Sequence, residues 1–122
     1  MNYPRILFAA ASSGNGKTTI VSGILQALTN KGFKVSSFKC GPDYIDPMFH
    51  SKAIGTKSRN LDAYFVPEDV MRYLFARNAV GSDISIIEGV MGFYDGIGAD
   101  STEGSSYDIS EKLKAPVILI VD

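Results

Sequence analysis

Residues 12–20 read SSGNGKTTI and lie between an apolar run at 6–10 and a helix-patterned segment. That order suits a bound phosphate. Gly14 and Gly16 carry no Cβ, so successive backbone N–H groups can turn toward phosphate oxygens. A helix starting there adds partial positive charge. Lys17 would reach β- and γ-phosphates, and the Thr18 hydroxyl would ligate Mg²⁺. The full phosphate-loop pattern wants glycine six positions before the lysine, where Ala11 stands. A helix cap with a glycine turn is the plainer alternative; the strand–loop–helix context argues against it.

Two later stretches carry charge where a second strand and a third should end. KCGPDYIDPMFH, residues 39–50, breaks after Cys40. Ends of parallel strands face the ligand crevice. Lys39 is thus a candidate phosphate partner, and Asp43 and Asp46 are candidate metal ligands. Both aspartates also read as turn or cap residues ahead of a short helix at Pro47. In SIIEGVMGFYDG, residues 85–96, three apolar or small residues lead into Glu88. A carboxylate at that strand tip can hold Mg²⁺ opposite Thr18. The alternative is a solvated acid in a turn. Gly89 and Gly92 would let the backbone approach a substrate closely, and Tyr94 and Asp95 lie just beyond.

These residues need a frame. Residues 5–10 read as a buried strand. Residues 17–31 read as a helix with Ile20, Ile24, Ala27 and Leu28 on one face, stopped by Gly32. A second strand spans 33–40. Residues 41–66 read as irregular, with a short helix around 47–54. A helix over 67–80 turns Val70, Met71, Leu74 and Phe75 inward. A third strand covers 83–88, a glycine-rich loop 89–104, a helix 105–113 and a fourth strand 116–121. Strands alternating with helices give an α/β fold, a parallel sheet covered by helices on both faces. PVILIV reads as an interior strand with no covering helix after it. The expectation is an N-terminal part of a longer protein, truncated after the fourth strand.

Composition sets limits. With 122 residues the chain suffices for one domain, and a net charge of −1 gives no global field for nucleic acid or anionic lipid. No apolar run approaches the roughly 20 residues of a membrane span. The start of the chain is short of a secretory signal, and the lone Cys40 excludes an internal disulfide framework. A cytoplasmic protein with no nucleic-acid or membrane partner is expected.

SGNGKTT, KCGPDYIDPMFH, SRNLDAYF and EGVMGFYDG occur in order across nearly the whole chain. Together they resemble the N-terminal ATP-binding domain of the cobyrinic acid a,c-diamide synthase family, a P-loop NTPase type related in fold to dethiobiotin synthetase. The resemblance implies ATP and Mg²⁺ as cofactors and a corrinoid or related tetrapyrrole as substrate. A carboxylate would become an acyl phosphate, and ammonia would then make the amide. It assigns Ser13, Gly14, Asn15, Gly16, Lys17, Thr18 and Thr19 to the phosphate loop. Thr18, Asp43 and Glu88 fall on the metal side. Lys17, Lys39, Asp43 and Asp95 match catalytic positions, and Tyr44, Ile45, Arg59 and Tyr94 match substrate contacts. Arg59 reads equally as a surface ion-pair partner. The family draws ammonia from glutamine through a C-terminal glutaminase domain, for which these residues leave no room. A homodimer is a candidate assembly. By analogy with related folds the strand order 2-3-1-4 leaves the last strand with an open edge.

Competing assignments share the loop. Partitioning-type switch ATPases carry a second lysine where Ser12 stands and lack GPDYIDP. Dethiobiotin synthetase lacks the later blocks. Hydrogenobyrinic acid, nickel-sirohydrochlorin and cobyric acid branches stay open within the family, with cobyric acid disfavoured by GPDYIDP and EGVMG. Cys40 and His50 invite a nucleophile–base pairing, but nothing like a nucleophile elbow surrounds Cys40, and a core thiol is the simpler reading.

Overall fold

The computed structural model describes residues 3–10, 16–40, 58–61, 67–92 and 105–120. Eight elements follow one another. They are β1 (Arg5–Ala10), α1 (Lys17–Asn30), β2 (Val35–Cys40), β3 (Ser58–Leu61), α2 (Glu68–Ala79), β4 (Ile84–Gly92), α3 (Ser106–Leu113) and β5 (Val117–Ile120). The five strands form one parallel sheet in the order β3-β2-β4-β1-β5.

Alternation along the strands sorts side chains between two layers. Phe8, Val21, Leu25 and Ile86 pack under α1, with Ile6, Ile24, Leu28, Val35 and Ile84 around them. Leu7, Ala9, Phe38, Cys40 and Ile87 face the other way and meet Met71, Phe75 and Ala79 of α2 and Ile109 and Leu113 of α3. The Phe38 and Phe75 rings lie 4.9 Å apart between centroids, tilted by 42°. Helices therefore cover both faces, as the pattern required.

At the start of β1 a different device closes the structure. Arg5 donates to the Leu113 carbonyl at 3.0 Å, and Arg72 Nε donates to the Lys112 carbonyl at 2.8 Å. Two guanidiniums thus satisfy carbonyls at the C-terminal end of α3 that the helix itself leaves open.

Five expectations change. Residues 41–66 are not wholly irregular, because β3 forms within them at the sheet edge. SRNL has one large apolar residue, so no periodicity announces it; pairing with β2 makes the strand. Consequently 116–121 supplies the fifth strand, not the fourth, and its core is Val117–Ile120. β4 runs on to Gly92, past the expected end at Glu88. The buried stripe of α2 is Met71, Phe75 and Ala79, while Val70 and Leu74 are about two-fifths exposed, at 42% and 40%. In α1 the buried side chains are Lys17, Val21 and Leu25; Ile20 and Ala27 point outward. The short helix expected at 47–54 lies outside the described residues.

Candidate active site

Helix α1 begins directly at the loop. Gly16 takes φ 74°, the left-handed region that favours glycine, and its carbonyl accepts the first helical bond from Ile20 N–H at 3.1 Å. Among the described residues no side chain caps the helix there, and its first turn holds no acid. A helix start of this kind carries partial positive charge, which suits an anion.

Beneath that helix lies one row of the sheet. Register pairs Lys39 of β2 with Glu88 of β4, and Glu88 with Phe8 of β1. Parity puts Lys39 and Glu88 on the α1 face, since they alternate with Phe38 and Ile87 of the opposite layer. Lys39 Nζ donates to Glu88 Oε2 at 2.8 Å, and Thr18 Oγ1 donates to the same oxygen at 2.7 Å. Glu88 is 0% exposed and Lys39 is 3% exposed; Lys17 is also buried. A buried ion pair costs several kcal/mol per ion in desolvation and adds little net stability against apolar replacements. Two strands and a helix thus deliver a hydroxyl, an ammonium and a carboxylate to one point beside the helix N-terminus.

The donor set suits a hard cation. A hydroxyl and a carboxylate oxygen are ligands Mg²⁺ accepts, and it typically completes its shell with water and phosphate oxygens. Among the described residues no group of three or more His, Cys, Asp or Glu could hold a metal ion.

Cys40 ends β2 on the opposite face. It is fully buried, and burial, the largest influence, pushes its thiol up to about 12 despite a hydrogen bond to Ser106. Lys39 and Lys17 pull the thiol down and Glu88 pushes it up, so all three charges act at this strand tip. A thiol held protonated in the core agrees with the core reading. Gly89 was expected to admit a substrate, yet it faces Ser106 of α3, whose Oγ would lie 2.6 Å from an added Cβ. Ser106 escaped the sequence reading because nothing local marks a serine in the first turn of a helix as a contact of β4.

The remaining site residues divide. Thr19 lies in the first turn of α1. Arg59 lies in β3, its backbone paired with Phe38. Ser13, Gly14, Asn15, Asp43, Tyr44, Ile45, Tyr94 and Asp95 lie outside the described residues, as do Asp46 and His50. No helix among the described residues is long and apolar enough to cross a membrane.

Residues 6–121 match the family described as CobQ/CobB/MinD/ParA nucleotide binding domain. A hydrogenobyrinate a,c-diamide synthase of Streptomyces coelicolor is 48% identical over 119 residues, covering 98% of this chain and 24% of the relative. A cobyrinate a,c-diamide synthase of Listeria innocua is 50% identical over 97% of this chain and 26% of its own length. One from Dehalococcoides mccartyi is 46% identical over all of this chain and 26% of its own length. The chain therefore spans about a quarter of the length of the curated relatives it matches. The resemblance drawn from the four sequence blocks agrees with these relatives.

Proposed function

Because the chain belongs to the CobQ/CobB/MinD/ParA nucleotide-binding domain family, we propose that it forms the ATP site of an amidoligase acting on the a and c acetate carboxylates of cobyrinic acid. The observation that carries this reading is the convergence of Thr18 and Lys39 on the buried Glu88 at the start of α1. Relatives named for a,c-diamide synthesis, 46–50% identical, supply the reaction class.

A carboxylate is a poor electrophile, and its charge repels phosphate. In the proposed reaction a carboxylate oxygen of the tetrapyrrole attacks the γ-phosphorus of ATP. The bond to the β–γ bridging oxygen breaks and ADP leaves, giving an acyl phosphate. Ammonia then adds at the acyl carbon, phosphate leaves, and a proton is lost to give the amide.

In this chain the helix N-terminus and Lys17 would hold the phosphates, joined by the backbone of Ser13, Gly14, Asn15 and Gly16. Thr18 and Glu88, with Asp43, would hold Mg²⁺, which when bound neutralises phosphate charge. Lys39 would keep Glu88 in place and offer positive charge beside the transferring group. Tyr44, Ile45, Arg59 and Tyr94 would contact the macrocycle, and Asp95 would act on the substrate side. Ammonia would come from glutamine through a C-terminal glutaminase domain. On this reading the enzyme works in the cytoplasm, without a nucleic-acid or membrane partner, and a homodimer is its candidate assembly.

The hydrogenobyrinate synthase among the relatives favours one second reading, in which the substrate is the cobalt-free macrocycle. The test offers the full-length gene product cobyrinic or hydrogenobyrinic acid with Mg-ATP and glutamine or ammonium, followed by mass spectrometry. Two successive ATP-dependent conversions of acid to amide, lost in Lys17→Ala, are expected. ATP hydrolysis with every offered tetrapyrrole unchanged would overturn the assignment.

A further inference from the structure

The residues that follow the two partners of the buried ion pair meet a single side chain. Cys40 follows Lys39, Gly89 follows Glu88, and both face the layer built by α2 and α3. There the Ser106 hydroxyl shares a hydrogen bond with the Cys40 thiol. At Gly89 the fit is tight, and an added Cβ would force Ser106 to shift. An added Cβ would stand 2.6 Å from Ser106 Oγ, 3.1 Å from Ser106 Cβ and 3.2 Å from the Phe8 carbonyl oxygen. Gly89 is not among the glycines with positive φ, so the strain of a larger residue there would come from the Ser106 contact and not from the backbone.

Ser106 is itself firmly held. It is 0% exposed in the first turn of α3. Ser105 before it is also buried and accepts from Asp108 N–H at 3.1 Å, which fixes the helix start. Ile109, on the same helix, lies in the core beneath the sheet. A fixed serine thus braces β2 and β4 one residue past the ion pair, from behind the sheet.

We infer that Ser106 is a positioning residue for Lys39 and Glu88, locking the end of β2 against β4 just past Glu88 so that the carboxylate meets Thr18 in register. The inference rests on the reading of Thr18 and Glu88 as the metal side. Ser106 acts through Cys40 and Gly89 and is not placed in contact with phosphate or substrate. A helix that merely packed on a sheet would tolerate a small shift of this seam without consequence on the α1 face. A brace would not, because displacements near 1 Å at a reacting site can cost on the order of 100-fold in rate.

The test uses the full-length protein and a readout apart from turnover: Mn²⁺ affinity in the presence of ADP, measured by electron paramagnetic resonance. Thr18→Ala and Glu88→Gln calibrate the metal site. Gly89→Ala should weaken Mn²⁺ binding about 10-fold, well within what such displacement can cause. Ser106→Gly in the Gly89→Ala background should restore most of that loss, because it removes the two nearest atoms. Ser106→Gly alone should weaken binding about 3-fold by loosening the brace, and it gives the answer if Gly89→Ala fails to fold. Kinetically the effect should fall on kcat and the Mg²⁺ requirement, with the tetrapyrrole KM steady.

Weaker Mn²⁺ binding in Thr18→Ala and Glu88→Gln, with Gly89→Ala and Ser106→Gly at the wild-type value, overturns the brace and leaves the metal site standing. Loss in Gly89→Ala without recovery in the double variant also overturns it. Unchanged binding in Thr18→Ala and Glu88→Gln overturns the metal-site reading and the brace together.

Discussion

Lys39 and Glu88 are direct cross-strand neighbours in the β2–β4 register, and they close a 2.8 Å ion pair at a depth where the carboxylate has no exposed surface. Such a pair tolerates removal of both charges better than removal of one. Lys39→Met should therefore destabilise the protein by about 3–5 kcal/mol, whereas Lys39→Met with Glu88→Leu should lie near the wild type. Urea unfolding of the three proteins measures this. A near-neutral single variant would mean that the pair is wetter than the structure shows.

Gly16 holds the left-handed turn from which α1 begins. Gly16→Ala places a Cβ at φ 74° and should cost about 1–2 kcal/mol of stability. Nucleotide affinity should fall by more than that strain explains, since the same turn aims the helix N-terminus. Calorimetric titration with ADP beside a thermal melt separates the two effects.

The buried Cys40 thiol supplies a pH prediction. Its folded value is about 12 against an ordinary 9.0. Below pH 9 both states keep the proton and the group has no effect. Above that the unfolded chain ionises first, so stability falls as pH rises from about 9 toward 12. Cys40→Ala should flatten this part of the stability curve. At pH 8 the native thiol should resist iodoacetamide and react only on unfolding.

β5 is paired only with β1 among the described strands and exposes Val117, Ile118 and Leu119 by 36%, 46% and 47%. An apolar open edge invites pairing with another chain. The isolated 122-residue chain should self-associate at micromolar concentration, and Ile118→Lys should shift it toward monomer in sedimentation velocity. A sharp monomeric melt of the unsubstituted chain, with slow amide exchange in β5, would go against this.

Much of this architecture was legible from periodicity. β1 spans Arg5–Ala10 as expected, and Gly32, at φ 92°, follows the end of α1 as the stop signal required. β3 was not legible, because SRNL becomes a strand only through its pairing with β2. The face of α1 was misread where Ile20 stood in for Val21. Hydrophobicity alone does not choose between adjacent flanks of a helix; the sheet beneath does. At the site, Thr18 and Glu88 stood out because a glycine loop before a helix and an acid ending an apolar run are local signals, although the strand itself continues past Glu88 to Gly92. That Lys39 bonds the same carboxylate oxygen depends on strand register, and the Ser106 contact depends on how α3 seats. Neither is written in local sequence.

The most direct test of the account follows oxygen. The full-length enzyme is given tetrapyrrole labelled with ¹⁸O in its acetate carboxylates, Mg-ATP and ammonium, and the released phosphate is analysed by mass spectrometry. Activation at the site of Lys17, Thr18, Lys39 and Glu88 through an acyl phosphate predicts one ¹⁸O in each phosphate per amide formed. Unlabelled phosphate alongside amide formation would contradict it.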